Sequence, residues 1–252
     1  MTELTVIITA LNEEKNITAT MNGVLKAFSD LGVKGEIVAV NDGSRDRTGE
    51  IIEGLCKTNS AVRILTHASP RGIGASFWEG VDVAEGEAVV WFPGDNENSP
   101  WEIFRYFPLL KHVDIIVPFT FNRGVRSIFR KILSTFYRFI VNATFVVSFN
   151  YTNGTILYRK SLLKELRVRN TGFFFQTDML VRLVRSGYLF AEVPYKLGAR
   201  NDGKSKALTL RSLRNVAGDY LKLVRDLYVL GKVRRPDKFA ADSVTGTRRA
   251  NN

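Results

Sequence analysis

One cysteine and two histidines among 252 residues exclude a good deal of chemistry at once. Cys56 alone can neither close an internal disulfide nor build a cysteine zinc cluster. His67 and His112 lie outside any loop with catalytic patterning, so an imidazole general base is not what this sequence offers. No secretory h-region stands at the start, "MTELTVIITALNEE", and the expected location is the cytosol. No uninterrupted run of about 20 apolar residues marks a membrane span either. Acid is the scarcer charge: 25 Asp and Glu against 36 Lys and Arg leave +11, which suits an anionic partner such as phosphate, nucleic acid or a membrane surface.

What is present suits an ordinary globular α/β enzyme. Hydrophobic content of 45% and charged content of 24% exclude wholesale disorder. "LTVIITA" is a β-branched strand, followed by the loop "LNEEKN" and a helical stretch "ITATMNGVLKAFSDLG" that stops at Gly32. The unit repeats with strand "EIVAV", turn "NDGSRD" and an Ile- and Leu-rich helix, then again through "AVRILTH" and "RGIGASFWEGVDVAEG". Such alternation predicts a mostly parallel sheet with helices on both faces, whose ligand site lies beyond the carboxyl ends of the strands. The polar loops "LNEE", "NDGSRD" and "GDNENSP" all fall at that edge. "VDIIVPF", "GTILYRKSLL" and "LFAEVPYKL" are further strands, with helix "QTDMLVRLVRSG" between the last two and "LTLRSLRNVAGDYLKLVRDLYVLG" closing the fold as one helix or two. From Lys232 on, composition predicts a flexible basic tail, which leaves residues 1–231 as the working domain.

Three loops carry chemistry. Asp95 and Glu97 follow the run "AVVWFP" at a spacing of two, which lets both carboxylates reach one hard divalent cation, Mg²⁺ or Mn²⁺, against a diphosphate. Alone, such a pair is more often a solvated turn. Asp42 is placed to accept hydrogen bonds from a ribose or base, with Gly43 letting the backbone pass close. Arg71 stands beside two glycines at a helix start, an arrangement suited to diphosphate. Residues 125–149 form a different element with no acidic residue: Val125, Ile128, Phe129, Ile132, Leu133, Phe136 and Ile140 fall on one helical face, with Ser127, Arg130, Lys131, Ser134 and Arg138 toward the other. The charges exclude a span; an interfacial helix is the better reading, with an amphipathic core helix as its alternative.

"ITALNEEKNI", "EIVAVNDGSRDRTGEII", "RGIGASFWEGV" and "FPGDNENSP" together resemble the successive motifs of family-2 glycosyltransferases of the GT-A fold. The pattern is most similar to that of dolichyl-phosphate mannose synthases and bacterial polyprenyl-phosphate glycosyltransferases, and it extends through "NRGVRSIFRKILS", "NYTNGTILYRKSLL", "FFFQTDML" and "ARNDGKSKAL". The resemblance implies a GT-A, Rossmann-like sheet with amphipathic interface helices, and sugar transfer from a GDP- or UDP-linked donor to a polyprenyl phosphate, dolichyl or undecaprenyl, at the cytosolic face of a membrane. It implies that Ala10, Leu11, Asn12, Glu13, Asp42 and Gly43 hold the nucleoside. Asp95, Glu97 and Ser99, with Asn96 beside them, hold the metal. Arg123, Arg130 and Ser134 receive the lipid phosphate. Arg200, Ser205 and Lys206 close over the phosphates, Arg71 serves the diphosphate, and Asp178 lies on the acceptor side. An anionic membrane surface and a membrane-spanning partner subunit are the implied partners. The chain departs from the pattern at Thr9, Asn41, Glu97, Ser99 and Asn150, where Pro, Asp, Asp, Gln and Asp are usual.

Three other readings compete. A saccharide acceptor would need a general base, for which Asp178 is the candidate, and the departures at Glu97 and Ser99 leave room for a binder without catalysis. A nucleic-acid module is disfavoured because the basic residues form no recognised recognition pattern.

Overall fold

The computed structural model describes residues 1–122, 128–196 and 210–250, with the side chains of 128–131 and 210–211 also left out. One seven-stranded sheet organises the chain. In chain order the elements are β1 (Leu4–Ala10), α1 (Ile17–Leu31), β2 (Gly35–Asn41), α2 (Thr48–Thr58), β3 (Val62–Thr66), α3 (Ile73–Val83), β4 (Ala88–Pro93), α4 (Pro100–Phe104), β5 (Ile115–Thr120), α5 (Ile128–Phe145), β6 (Leu157–Arg159), α6 (Lys160–Glu165), α7 (Phe175–Arg185), β7 (Phe190–Tyr195), α8 (Leu210–Val224) and α9 (Val244–Ala250). A π-turn over Arg225–Val229 extends α8.

The strand order is β3-β2-β1-β4-β6-β5-β7, parallel except for β6, which runs against both β4 and β5. The expected strand "GTILYRKSLL" is mostly not strand: β6 has three residues and "KSLLKE" turns helical as α6. Alternation along β1 divides the core. Ile7 belongs to one buried cluster with Phe77, Val141, Met179 and Leu223 of α3, α5, α7 and α8, while Val6 and Ile8 belong to a second with Met21, Ile52 and Phe104 of α1, α2 and α4. Each such side chain, fully buried, stabilises the fold by about 1.5–3 kcal/mol. Helix α1 ends where its sequence says it should, at Gly32, whose φ of 64° gives the left-handed cap that a side chain would strain.

The stretch from Lys232, expected to be a flexible tail, is docked where it can be seen. Asp114, fully buried just before β5, accepts hydrogen bonds from the Val244 and Thr245 amides (2.7 and 3.1 Å) and from the Thr245 hydroxyl. Arg159 pairs with the same carboxylate at 3.2 Å. Phe239 packs edge-on against Tyr188 and under the Arg249 guanidinium. The anchoring combines these polar contacts with single apolar residues, Ala240 buried in the core and Phe239 packed against it, which are too few to give the tail a hydrophobic pattern.

Helix α5 departs from its single predicted apolar face. Val141 and Phe145 are buried in the core and Tyr137 packs against it, whereas Ile132, Phe136 and Phe139 form a second apolar stripe that is 61–68% exposed. Leu133 and Ile140, assigned to the apolar face, are only half-buried between the two stripes. No helix among the described residues is long and apolar enough to cross a membrane.

Candidate active site

The carboxyl ends of the parallel strands, and the segment entering antiparallel β6, bring the predicted loops to one edge of the sheet. Asp42 stands just past β2, 5% exposed, and its backbone N–H bonds the Ala10 carbonyl at 2.9 Å. Oδ1 of Asp42 accepts from the Arg71 amide (2.8 Å) and faces His67 Nδ1 (2.6 Å), while Oδ2 accepts from the Gly72 amide (2.9 Å). A carboxylate has about four acceptor positions. Among the described residues three donors reach this one, so Oδ2 can take one more from a ligand N–H or O–H.

The loop is built for this. Gly43 has φ 72°, and a Cβ there would stand 2.7 Å from the Pro70 nitrogen, so only glycine lets the β2–α2 and β3–α3 loops touch. Asn12, at φ 57°, accepts the Arg45 amide on its side-chain oxygen (2.8 Å), and its own amide bonds Ser44 Oγ (3.0 Å). The Glu13 amide bonds Thr48 Oγ1 at 2.8 Å. Leu11 continues this loop from Ala10. The expected nucleoside loops are therefore laced together before any ligand arrives.

His67 was passed over in the sequence, yet it is 8% exposed and bridges Asp42 to Glu79, whose Oε2 lies 2.7 Å from its Nε2. Arg71, expected at the diphosphate, pairs its side chain with Glu79 and gives its amide to Asp42, which puts it at the same end of the site as Asp42. No signal in the sequence could link residues 25 and 12 positions apart into one cluster. Replacing His67 with Ala should weaken nucleoside diphosphate binding about tenfold by releasing Asp42, one hydrogen bond to a charged group being worth ~1.5 kcal/mol. The metal dependence of binding should not change. Isothermal titration of the variant with UDP and GDP at varied Mn²⁺ checks both.

A cleft of about 150 Å³ opens beside this, lined by Trp91, Pro93, Asp95, Glu97, Asn98, Tyr151, Asn153, Gly154, Thr155 and Tyr195. Asp95 and Glu97 share its wall, with the Glu97 amide bonded to Asp95 Oδ1 at 3.2 Å in a tight turn. Asn96 between them takes φ 57°, a left-handed conformation that asparagine tolerates, and stays exposed outside the lining. Ser99, expected as a metal ligand, instead directly precedes α4, which begins at Pro100, and stands outside the lining; Asn98 lines the cleft and accepts from the Tyr195 hydroxyl at 3.2 Å. Among the described residues no group of three His, Cys, Asp or Glu is assembled for a metal. Two hard carboxylate oxygen donors on one wall still fit Mg²⁺ or Mn²⁺, which take one or two carboxylates and complete their shell with substrate phosphates and water.

Three departures from the family pattern have partners. Thr9 Oγ1 accepts the indole N–H of Trp91 at 2.9 Å, fixing one wall of the cleft. Asn150 spends its amide N–H and its side-chain NH₂ on Glu192, at 2.6 and 2.8 Å; an aspartate there would set two carboxylates against each other. At Asn41, the side-chain oxygen accepts the Ser44 amide at 3.1 Å.

Asp178 is not in the cleft. It is 2% exposed and forms a two-point pair with Arg182, which also reaches Asp226 of the π-turn at 2.8 Å. Burial, with Asp219 and Asp226 nearby, outweighs Arg182 and holds its carboxyl above the usual range. Thr177, one residue earlier, does reach the site: its hydroxyl bonds Asn153 Oδ1 (3.1 Å) and the Tyr137 hydroxyl of α5 (2.8 Å), whose burial pushes that phenol up to about 12. Ser134 lies exposed on α5. Arg123, Arg200, Ser205 and Lys206, and the side chain of Arg130, lie outside the described residues.

Comparison with known proteins decides the family, because the pattern of glycosyl transferase family 2 matches residues 5–167. The chain belongs to glycosyl transferase family 2. This glycosyltransferase is 24% identical over 239 residues to the dolichol-phosphate mannosyltransferase of Saccharomyces cerevisiae, covering 90% of this chain and 87% of that one. It is 27% identical over 217 residues to the polyprenol monophosphomannose synthase of Mycolicibacterium smegmatis, covering 80% and 79%. Against the dodecaprenyl-phosphate galacturonate synthase of Rhizobium johnstonii the figures are 25% over 241 residues, covering 94% and 70%. Its fold is similar to that of glucosyl-3-phosphoglycerate synthase from Mycobacterium tuberculosis, solved with Mn²⁺, UDP and phosphoglyceric acid, with a TM-score of 0.66 at 20% identity over 88% of this chain and 78% of that one. The glycosyltransferase thus has the GT-A architecture expected from its motifs.

Proposed function

We propose that the enzyme transfers a hexosyl group from a nucleotide diphospho-sugar to the phosphate of a polyprenyl phosphate at the cytosolic face of a membrane. One observation carries this reading: the helix with the exposed apolar stripe, α5, is tied by Tyr137 and Thr177 to Asn153 on the wall of the carboxylate cleft. A lipid-facing element and the transfer site are then one mechanical unit. The names of the relatives, which are polyprenyl-phosphate sugar synthases, support the same acceptor.

The chemistry needs little from the protein beyond positioning and charge. The acceptor phosphate, largely dianionic at neutral pH because its second pKa is ~6, attacks the anomeric carbon, and the nucleoside diphosphate departs with the bonding electrons. No strong base is required, which fits a cleft lining with no histidine and an Asp178 committed to Arg182. The saccharide-acceptor reading loses its candidate base by the same observation. Oδ2 of Asp42 would take an N–H or O–H of the nucleoside, and Asp95 and Glu97 would hold Mg²⁺ or Mn²⁺. That ion, when bound, neutralises charge on the leaving diphosphate. Arg123, Arg130 and Ser134 on the acceptor side, and Arg200, Ser205 and Lys206 over the phosphates, complete the proposal.

The test is transfer itself. Purified enzyme with radiolabelled UDP- and GDP-sugars, Mn²⁺ and liposomes containing undecaprenyl or dolichyl phosphate should yield an organic-extractable, acid-labile lipid product. Label recovered only in a soluble saccharide would overturn the assignment. Membrane contact is measured separately. Co-sedimentation with liposomes should rise with anionic lipid, by ~1 kcal/mol per basic residue near the surface, and Phe136→Ser with Phe139→Ser should reduce it about tenfold or more through lost apolar insertion. Binding that ignores both would remove α5 as the contact and leave attachment to a membrane-spanning partner subunit.

A further inference from the structure

In the cleft that Asp95 and Glu97 line, one further residue is out of balance. Thr155 lines the cleft, is 1% exposed, and among the described residues its buried hydroxyl has no hydrogen-bond partner. Buried hydroxyls are nearly always satisfied, because an unpaired one bears its full desolvation cost. Valine has almost the same shape and would fill this position without that cost, so the hydroxyl implies a partner that arrives with a ligand.

The mounting is rigid. Thr155 stands two residues before β6, between Gly154 and Ile156, which are both buried. A Cβ on Gly154 would stand 2.9 Å from the Tyr151 ring and 3.2 Å from the Pro118 carbonyl, so the backbone here is closely packed and has little room to carry the hydroxyl to a partner within the protein. Asn153, two residues away, is held in turn by Thr177. The cleft is smaller than the ~300 Å³ of pockets that enclose whole ligands, so it suits one end of a nucleotide sugar. That end must also face Asp95 and Glu97, which places the sugar beside the diphosphate against Thr155.

We infer that the Thr155 hydroxyl reads a hydroxyl group of the donor sugar and is a specificity-determining residue of this enzyme. The inference rests on the transfer reading above for the identity of the ligand as a nucleotide sugar. A threonine hydroxyl donates once and accepts twice, so it complements a sugar hydroxyl in either sense. Sites built to hydrogen-bond a substrate hydroxyl discriminate against analogues that lack it.

The experiment is titration of wild-type, Thr155→Val and Thr155→Ser proteins with UDP, GDP and a panel of UDP- and GDP-linked hexoses and their monodeoxy analogues in Mn²⁺. Thr155→Val should bind the preferred nucleotide sugar about tenfold more weakly while binding the bare nucleoside diphosphate as wild type does, and Thr155→Ser should restore the sugar preference. Thermal stability of Thr155→Val should equal or exceed wild type, whereas a hydroxyl bonded within the protein would lower it. In wild type, one monodeoxy analogue should show the same tenfold loss, and that loss should vanish in Thr155→Val. Equal affinity of wild type and Thr155→Val for every nucleotide sugar overturns the inference and leaves lipid product formation untouched. Failure to form a lipid product with Thr155-dependent sugar binding intact overturns the acceptor instead.

Discussion

Asp95→Ala should lower sugar transfer by about 10² to 10³ while the protein stays folded. The loss has the size seen when one preorganised electrostatic contact to a developing charge is removed. Among the described residues Asp95 is half of the one acidic pair lining the cleft, and its partner Glu97 gives its amide to the Asp95 carboxylate. In the proposed function, losing it would remove one metal oxygen and loosen the second. Folding should hardly register the change, since the turn hydrogen bond is worth about 1 kcal/mol and the loop lies beyond the last residue of β4. Nucleoside diphosphate titrations with and without Mn²⁺, beside a thermal melt, separate the outcomes. A folded Asp95→Ala protein with undiminished Mn²⁺-dependent binding removes the metal from this wall.

Arg182→Ala should be the most destabilising single change, by about 3–5 kcal/mol, the range for breaking a buried ion cluster from one side. Arg182 is 4% exposed and stands between Asp178 and Asp226, both more than nine-tenths buried. Without it the two carboxylates face each other in the interior. Burial alone pushes Asp226 up, and Arg182 with Lys232 reverses that and holds it below the usual range. Removing the guanidinium therefore raises both carboxyls. A carboxyl raised in the fold costs stability increasingly as pH climbs above its unfolded value of about 4, so the penalty should be largest at neutral pH and shrink toward pH 4. Melting curves across that range check the sign. A loss that does not vary with pH would mean that packing of the arginine stem, and not its charge, holds α7 to the π-turn.

Why some of this was legible in the sequence and some not comes down to which interactions leave a local trace. Strands β1, β2 and β4 are continuous apolar runs ending in polar loops, and Gly32 ends α1 by its own conformational freedom, so the sheet edge carrying Asp42, Asp95 and Glu97 could be drawn beforehand. Strand β6 left no period. It is three residues long, its direction is set by β4 and β5, and "YRKSLL" continues apolar into α6. His67 and Thr155 are single residues whose meaning comes from distant neighbours or from the lack of one. Asp178 was assigned to the acceptor side because it matches an acidic position of the resembled family; the fourth residue after it, Arg182, was the clue to an i, i+4 pair.

The anchoring of Val244 and Thr245 on Asp114 also sets an order of events during synthesis. The aspartate leaves the ribosome about 130 residues before the amides that satisfy it. Strands β1 to β4 can pair as they emerge, because their partners are close in the chain. Strand β5, which begins at the residue after that aspartate, cannot bury it at low cost until translation has passed Thr245. Until Thr245 has been made, the nascent enzyme should therefore hold paired strands β1 to β4 beside an unfinished β5, the state in which a chaperone would meet it first.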